Sequence, residues 1–223
     1  MKKLALLLAC LLLLCGAAAA EQAAGFEPLS FSIWADTAAG YEWTCEYDNN
    51  GVLSAPICEI VEQGEGSSYE FYFGVEKPGK SEIFFNYGLN WEVDVPQQTI
   101  ICNVDVDEAG KCAVKKAEIY PDDHMLVFTL PSKMTSGWSW SYQGESENGG
   151  MVTLISEKYA PINPALEGAG GNTTYQMKVE HPGETVLMFN YSNLWEPGAA
   201  AQESYAVVVT ANEEMEISIS IAE

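Results

Sequence analysis

The sequence predicts an all-β chain folded as two β-sandwiches in tandem. Short runs rich in Val, Ile, Tyr, Phe and Trp recur at roughly ten-residue intervals, broken by Gly, Pro, Asn and Asp. No segment carries an amphipathic helical stripe. The chain also repeats itself. Gly64-Glu65-Gly66-Ser67 returns 104 residues on as Gly168-Ala169-Gly170-Gly171. The same step carries Val75-Glu76-Lys77-Pro78-Gly79 onto Val179-Glu180-His181-Pro182-Gly183, Phe85-Asn86-Tyr87 onto Phe189-Asn190-Tyr191, and Trp91-Glu92 onto Trp195-Glu196. Upstream, Gly40-Tyr41-Glu42-Trp43 matches Gly137-Trp138-Ser139-Trp140 at a step of 97, so the first copy is the shorter in between. Four motifs in one order mark a duplication, and each copy has the length of an immunoglobulin-like sandwich, about one hundred residues.

Residues 1–20 read as a secretory leader. Lys2 and Lys3 supply the positive start, Leu4 to Leu14 the apolar stretch and Ala17 to Ala20 a small-residue exit. The apolar run is too short for a membrane span. Cleavage before Glu21 fits ordinary secretion. Leu12-Leu13-Leu14-Cys15-Gly16 resembles a bacterial lipoprotein box, which would lipidate Cys15. The expected location is therefore secreted or extracytoplasmic, with a lipid anchor at Cys15 as the alternative.

The first sandwich spans 26–108. It begins late: Leu29-Ser30-Phe31-Ser32-Ile33-Trp34 corresponds to the second strand of the other copy, so a first strand is missing. Asp105 to Lys111 reads as an acidic hairpin tip, too short for an EF-hand loop. The second sandwich spans 112–212, with strands expected at Cys112–Tyr120, Met125–Leu130, Trp138–Gln143, Met151–Tyr159, Thr174–Val179, Glu184–Tyr191 and Glu203–Ala211. Trp43 and Trp140 take the place of the buried Trp on the third strand. Trp91 and Trp195 follow Gly- or Asn-rich turns and are expected at the surface. Segment 213–223 supplies one more alternating strand, Met215 to Ile221. It is expected to pair with the sheet edge left open in the first copy.

Four cysteines follow the leader: Cys45, Cys58, Cys102 and Cys112. They allow three pairings. Proximity favours Cys45–Cys58 and Cys102–Cys112, each worth roughly 2–3 kcal/mol as a short loop closure. Their spacings match no zinc pattern and His124 and His181 stand alone, so neither metal nor cofactor is expected. No Ser-His-Asp or Cys-His nucleophile set can be assembled, which argues against an enzyme. The net charge is −22 and every basic residue is lysine. Such a chain is a poor partner for nucleic acid or anionic membranes, and its self-repulsion favours a soluble monomer.

The glycine run Gly168-Ala169-Gly170-Gly171 could cradle a phosphate only if it opened a helix. It is followed instead by Asn172-Thr173-Thr174-Tyr175-Gln176-Met177, which alternates as a strand. What remains is a side-chain-poor loop tip. In a sandwich, alternate connections emerge at one end. Here these are Ser132 to Gly137, the glycine run, and Ser192 to Gly198. The second copy resembles the chagasin family of immunoglobulin-like inhibitors of papain-type cysteine proteases. That family carries Asn-Pro-Thr-Thr-Gly, Gly-x-Gly-Gly and Arg-Pro-Trp in these three loops. Lys133-Met134-Thr135-Ser136-Gly137 matches the first at Thr135 and Gly137, with Ser136 for the second Thr. Gly168-Ala169-Gly170-Gly171 matches the second fully, and Asn193-Leu194-Trp195 keeps the Trp of the third.

The resemblance implies a papain-like cysteine protease as partner, its cleft entered by the middle loop and gripped by the flanking two. A cleft built for extended peptide admits a bare backbone, and an exposed Trp is a common interface anchor. The departures are the absent guanidinium in the third loop and Met134 in place of a stiffening proline. In the first copy the corresponding loops are Asp36-Thr37-Ala38-Ala39-Gly40, Gly64-Glu65-Gly66-Ser67 and Leu89-Asn90-Trp91. Thr37, Gly40, Gly64, Glu65, Gly66 and Trp91 are thus secondary candidates, but Glu65 would carry charge into the cleft. The second copy is the expected inhibitor. The alternative is an immunoglobulin-like surface or adhesion module that kept the fold without the inhibition.

Overall fold

The computed structural model describes residues 26–91, 96–145, 150–166, 168–196 and 198–222. The leader with Cys15 lies outside them, as do Glu92, Pro197 and Glu223. Among the described residues no helix is long and apolar enough to cross a membrane.

The first repeat contains β1 (Leu29–Ala35), a 3₁₀ turn (Thr37–Ala39), β2 (Tyr41–Tyr47), β3 (Ile57–Gln63), β4 (Gly66–Phe73), β5 (Gly79–Leu89) and β6 (Gln98–Val106). The second contains β7 (Cys112–Tyr120), β8 (Met125–Ser132), a 3₁₀ turn (Met134–Ser136), β9 (Trp138–Glu145), β10 (Val152–Pro161), β11 (Gly171–Val179), β12 (Gly183–Asn193), β13 (Glu203–Ala211) and β14 (Ile217–Ile221). Period-two burial drives these assignments. β13 reads exposed, exposed, then buried at Tyr205, Val207, Val209 and Ala211, with half-buried residues between.

Three sheets result, ordered β1-β4-β3, β10-β11-β8-β7-β6-β5-β2 and β14-β13-β12-β9. The seven-stranded sheet belongs to both repeats. It is continuous because β6 pairs antiparallel with β7 from Val106↔Cys112 to Thr99↔Ile119. The two cores lie on its opposite faces. Ile100, Cys102, Val104 and Val106 of β6 belong to the first core, with Phe71, Phe73 and Phe85, whereas Ile101 belongs to the second. Likewise Cys112 and Val114 of β7 pack on the first core, and Ala117 and Ile119 enter the second beside Phe128 and Phe189.

The tryptophans fall as the repeat implies. Trp43 and Trp140 are buried, and their Nε1 groups donate to Trp34 O and Pro131 O, each at 2.9 Å. Trp91 and Trp195 are 64% and 67% exposed. Contacts between repeats fix the junction. Tyr205 donates to Asn103 Oδ1 at 2.7 Å. Beside it, within the second repeat, Lys115, itself buried, pairs with Glu203 at 2.5 Å and lies over the rings of Trp140 and Tyr205 at 5.6 and 5.8 Å.

Three expectations are corrected. The tail β14 pairs with β13 alone, from Ala211↔Ile217 to Val207↔Ile221, so it does not close the open edge of the first repeat. Ile217, Ile219 and Ile221 pack instead on the second core. Second, Cys45, Cys58, Cys102 and Cys112 are all free thiols. Cys102 stands opposite Lys116 and Cys112 opposite Val106, four residues apart along the β6–β7 ladder, too far for a bridge. Cys45 and Cys58 lie on strands of different sheets, near enough for Cys58 to raise the Cys45 thiol, and are not bonded. Third, the middle connection of the first repeat is no projecting loop. Only Gly64 and Glu65 separate β3 from β4, and Gly66 and Ser67 already lie within β4.

Truncating Phe189 to Ala should cost about 3–5 kcal/mol, because the ring is fully buried among Phe128, Tyr175 and Tyr205; denaturant unfolding reads this directly. A second expectation concerns alkali. Burial pushes the Cys45 and Cys102 thiols from 9.0 up to about 12, with Cys58 and Glu46 raising Cys45 further. The folded state therefore holds these protons more tightly than the unfolded chain. Stability should be unaffected below about pH 9 and fall as pH rises toward 12, as a series of denaturation midpoints would record.

Candidate functional site

The first loop of the second repeat leaves β8 at Ser132 and closes as a single 3₁₀ turn. Ser136 N donates to Lys133 O at 2.9 Å and Gly137 N to Met134 O at 3.0 Å. Gly137 has φ 82°, the left-handed conformation that other residues adopt only at a cost. Thr135 stands exposed at the crest.

The third loop is tied to the first. Leu194 N donates to Gly137 O at 2.7 Å, and Trp195 N to Asn193 Oδ1 at 3.0 Å. The indole of Trp195 rests on Gly137; a Cβ there would lie 2.6 Å from Trp195 Cδ2. Gly137 is therefore a seat for the ring as well as a turn residue.

The middle loop joins β10 to β11. Ile162 N donates to Gly170 O at 3.0 Å at its base, and Asn163 Oδ1 accepts from Ala165 N at 3.0 Å. The glycine run divides in two. Gly171 is the first residue of β11 and is buried, and a Cβ there would lie 2.4 Å from Ala160 O. Gly170 faces Ser132 O, 3.3 Å from where a Cβ would be. These two let the base of the loop close. Gly168, with φ 82° and nothing within 4 Å of its would-be Cβ, belongs to the free tip. Ala169 is half-buried between them.

Two exposed residues of this loop, Ile162 (73%) and Leu166 (62%), were not singled out from sequence. The signal was present in Pro161-Ile162-Asn163-Pro164-Ala165-Leu166, an apolar stretch with prolines between two strands. Below the loops, Ser132, Ser139 and Thr173 form a buried hydroxyl cluster, with Ser132 Oγ and Thr173 Oγ1 2.7 Å apart. It fixes β8, β9 and β11 to one another directly under the three loops. Thr135, Gly168 and Trp195 accordingly share one end of the repeat, since β8 ends where β11 begins (Ser132↔Gly171) and β9 begins where β12 ends (Trp138↔Asn193).

The first repeat keeps part of this arrangement. Gly40, φ 87°, carries the ring of Trp91, and Asn90 N donates to Gly40 O at 3.1 Å. The Thr37 hydroxyl, however, is engaged with Ser67 Oγ at 3.1 Å, and Gly66 is wedged against Ala35 O and Trp34. Exposed Gly64 and Glu65 form only a tight hairpin tip. This loop end also points the other way. The connection after β5 lies beside the β7–β8 turn (Thr99↔Ile119, Tyr120↔Met125), whereas the second repeat's loops follow the far end of β8.

Residues 121–209 match the Chagasin family peptidase inhibitor I42. Chagasin of Trypanosoma cruzi is 33% identical over 91 residues, which cover 40% of this chain and 82% of that protein. The chain belongs to the chagasin family. Membership makes it a cysteine peptidase inhibitor and not an enzyme, and the matched chagasin domain is the second repeat. A crystal structure of a cysteine protease inhibitor from Entamoeba histolytica aligns over 40% of this chain and 78% of its own, at 19% identity and a TM-score of 0.34.

Replacing Gly137 by Ala should destabilise the domain by about 1–2 kcal/mol for the left-handed backbone alone. It should also lift Trp195 from its seat, seen as a change in indole emission and quencher access relative to the parent chain.

Proposed function

We propose that the second repeat inhibits papain-like cysteine proteases by lying across the active-site cleft with its three loops. The observation that carries this reading is the gathering of Thr135, the 162–170 loop and Trp195 at one end of a packed sandwich. The middle loop enters the cleft at Gly168 and Ala169, with Ile162 and Leu166 as apolar contacts on its flanks. Thr135, Ser136 and Gly137 form one wall contact, and Asn193, Leu194 and Trp195 the other. Gly170 and Gly171 support the loop from below. The hydrogen bonds that hold each loop exist before binding, so little ordering entropy is lost on association.

In this reading the first repeat serves as scaffold, because its two-residue tip offers nothing to insert. The predicted stoichiometry is one protease per chain. A secretory leader at residues 1–20 would carry the chain out of the cytoplasm to meet an extracytoplasmic target protease.

Titrating papain with the chain expressed from Glu21 tests the proposal. Reversible inhibition should reach completion at equimolar chain. Trp195→Ala should weaken it by about 30-fold or more, the scale of an interface hot spot, while Glu65→Ala and Trp91→Ala leave it unchanged. Absence of inhibition toward several papain-like enzymes would overturn the reading, as would a loss caused by the first-repeat variants alone.

A further inference from the structure

The turn and strand that end the chain repeat those that join the two sandwiches. Val106↔Cys112 opens the β6–β7 ladder as Ala211↔Ile217 opens β13–β14. Between them, Asp107 Oδ1 accepts from Ala109 N and Lys111 N, both at 2.9 Å. Asn212 Oδ1 accepts likewise from Glu214 N and Glu216 N, at 3.1 and 2.8 Å. Gly110 has φ 77° and its counterpart Met215 φ 62°. β14 is therefore the counterpart of β7. The other edge of β7 pairs with β8. Among the described residues nothing pairs with the other edge of β14.

The first repeat has the complementary deficit. β1 is the counterpart of β8 and also ends its sheet. Leu126, Phe128 and Leu130 of β8 are fully buried, with β7 beside them, but Leu29, Phe31 and Ile33 of β1 are only half-buried. A groove of about 330 Å³ runs there between β1 and the shared sheet, lined by Phe31, Ile33, Phe85, Ile100, Lys116 and Glu118. Among the described residues no strand lies beside β1 there, where β7 lies beside β8 in the second repeat.

The sheet edges differ in protection. β2 carries Glu42 and Glu46, β3 Glu59 and Glu62, and β9 Glu145 with an adjoining bulge; β10 carries Glu157, Lys158, Pro161 and a bulge. Charges, prolines and bulges are the usual guards of an exposed edge. β1 (LSFSIWA) and β14 (ISISI) have none.

We propose that β14 of one molecule pairs antiparallel with β1 of a second copy, reproducing the β7–β8 seam between chains. A two-residue slide from the β7–β8 register sets Ile217 to Ala222 against Trp34 to Leu29. An even slide keeps the same faces inward. Ser218, Ser220 and Ala222 then cover Leu29, Phe31 and Ile33, while Ile217, Ile219 and Ile221 stay on their own core. Each molecule has one head and one tail, so the contact is heterologous and builds open chains of molecules. The charge of −22 opposes this, so assembly strengthens as salt screens it.

Sedimentation of the chain expressed from Glu21, from low micromolar to near-millimolar concentration, is the test. The average mass should grow past the dimer without a plateau, and more so at high salt. Ser220→Glu, at an exposed position, should block the tail, and Leu29→Glu the head; each variant alone should stay monomeric with a cooperative thermal melt. Mixed in equal amounts, they should form a dimer and stop there, since each retains one sound edge. A parent chain that stays monomeric at every salt and concentration overturns the proposal. So does a closed dimer, or association that both variants leave intact.

Discussion

One strand pair organises the molecule. The β6–β7 ladder turns what would be two separate sandwiches into a single sheet with a core on each face. Residues on these strands therefore serve two masters. Cys102 and Val104 point into one core while Ile101 points into the other, and Lys115 is drawn under Trp140 and Tyr205. A buried lysine needs its charge answered. Glu203 and the two aromatic faces answer it within the second repeat, and one of those rings, Tyr205, also donates to Asn103 of the first.

The two loop ends differ in what they present. The second repeat has its 3₁₀ turn, its long middle loop and its tryptophan held by hydrogen bonds above a buried hydroxyl cluster. The first has the Gly–Trp seat without the long loop. Duplication preserved the elements that fold, and the middle connection is where the copies diverged. The second repeat's end carries a projecting loop, the first repeat's a flat hairpin tip.

Much of this was legible in the residues. The strands β7 and β13 fall at the expected bounds because turn residues punctuate them sharply, and Trp43, Trp140, Trp91 and Trp195 sort into core and surface as their neighbours imply. The three loops were readable because each is marked by Gly, Thr or Trp between strands. The fate of the tail was not, since Ile-Ser-Ile-Ser-Ile specifies an alternating strand but not its neighbour. The cysteines misled for a related reason: sequence distance says nothing of the register that sets Cys102 and Cys112 apart along a ladder. Nor did the glycine run show which of its members is structural. That depends on Ala160 O and Ser132 O, which approach only in the folded sheet.

The stretch that was copied and the body that folds are out of phase by one strand. A cut after β7, where the copied stretch ends, would strip the second sandwich of Ala117 and Ile119, and a cut before β7 would bare the flank of Val104 and Val106. Anyone wishing to excise the inhibitory half should begin the clone at Cys112 or earlier and accept a new exposed border where β6 had lain. Grafting further copies onto the C-terminus would follow the opposite logic: β14 is already the first strand of the next unit.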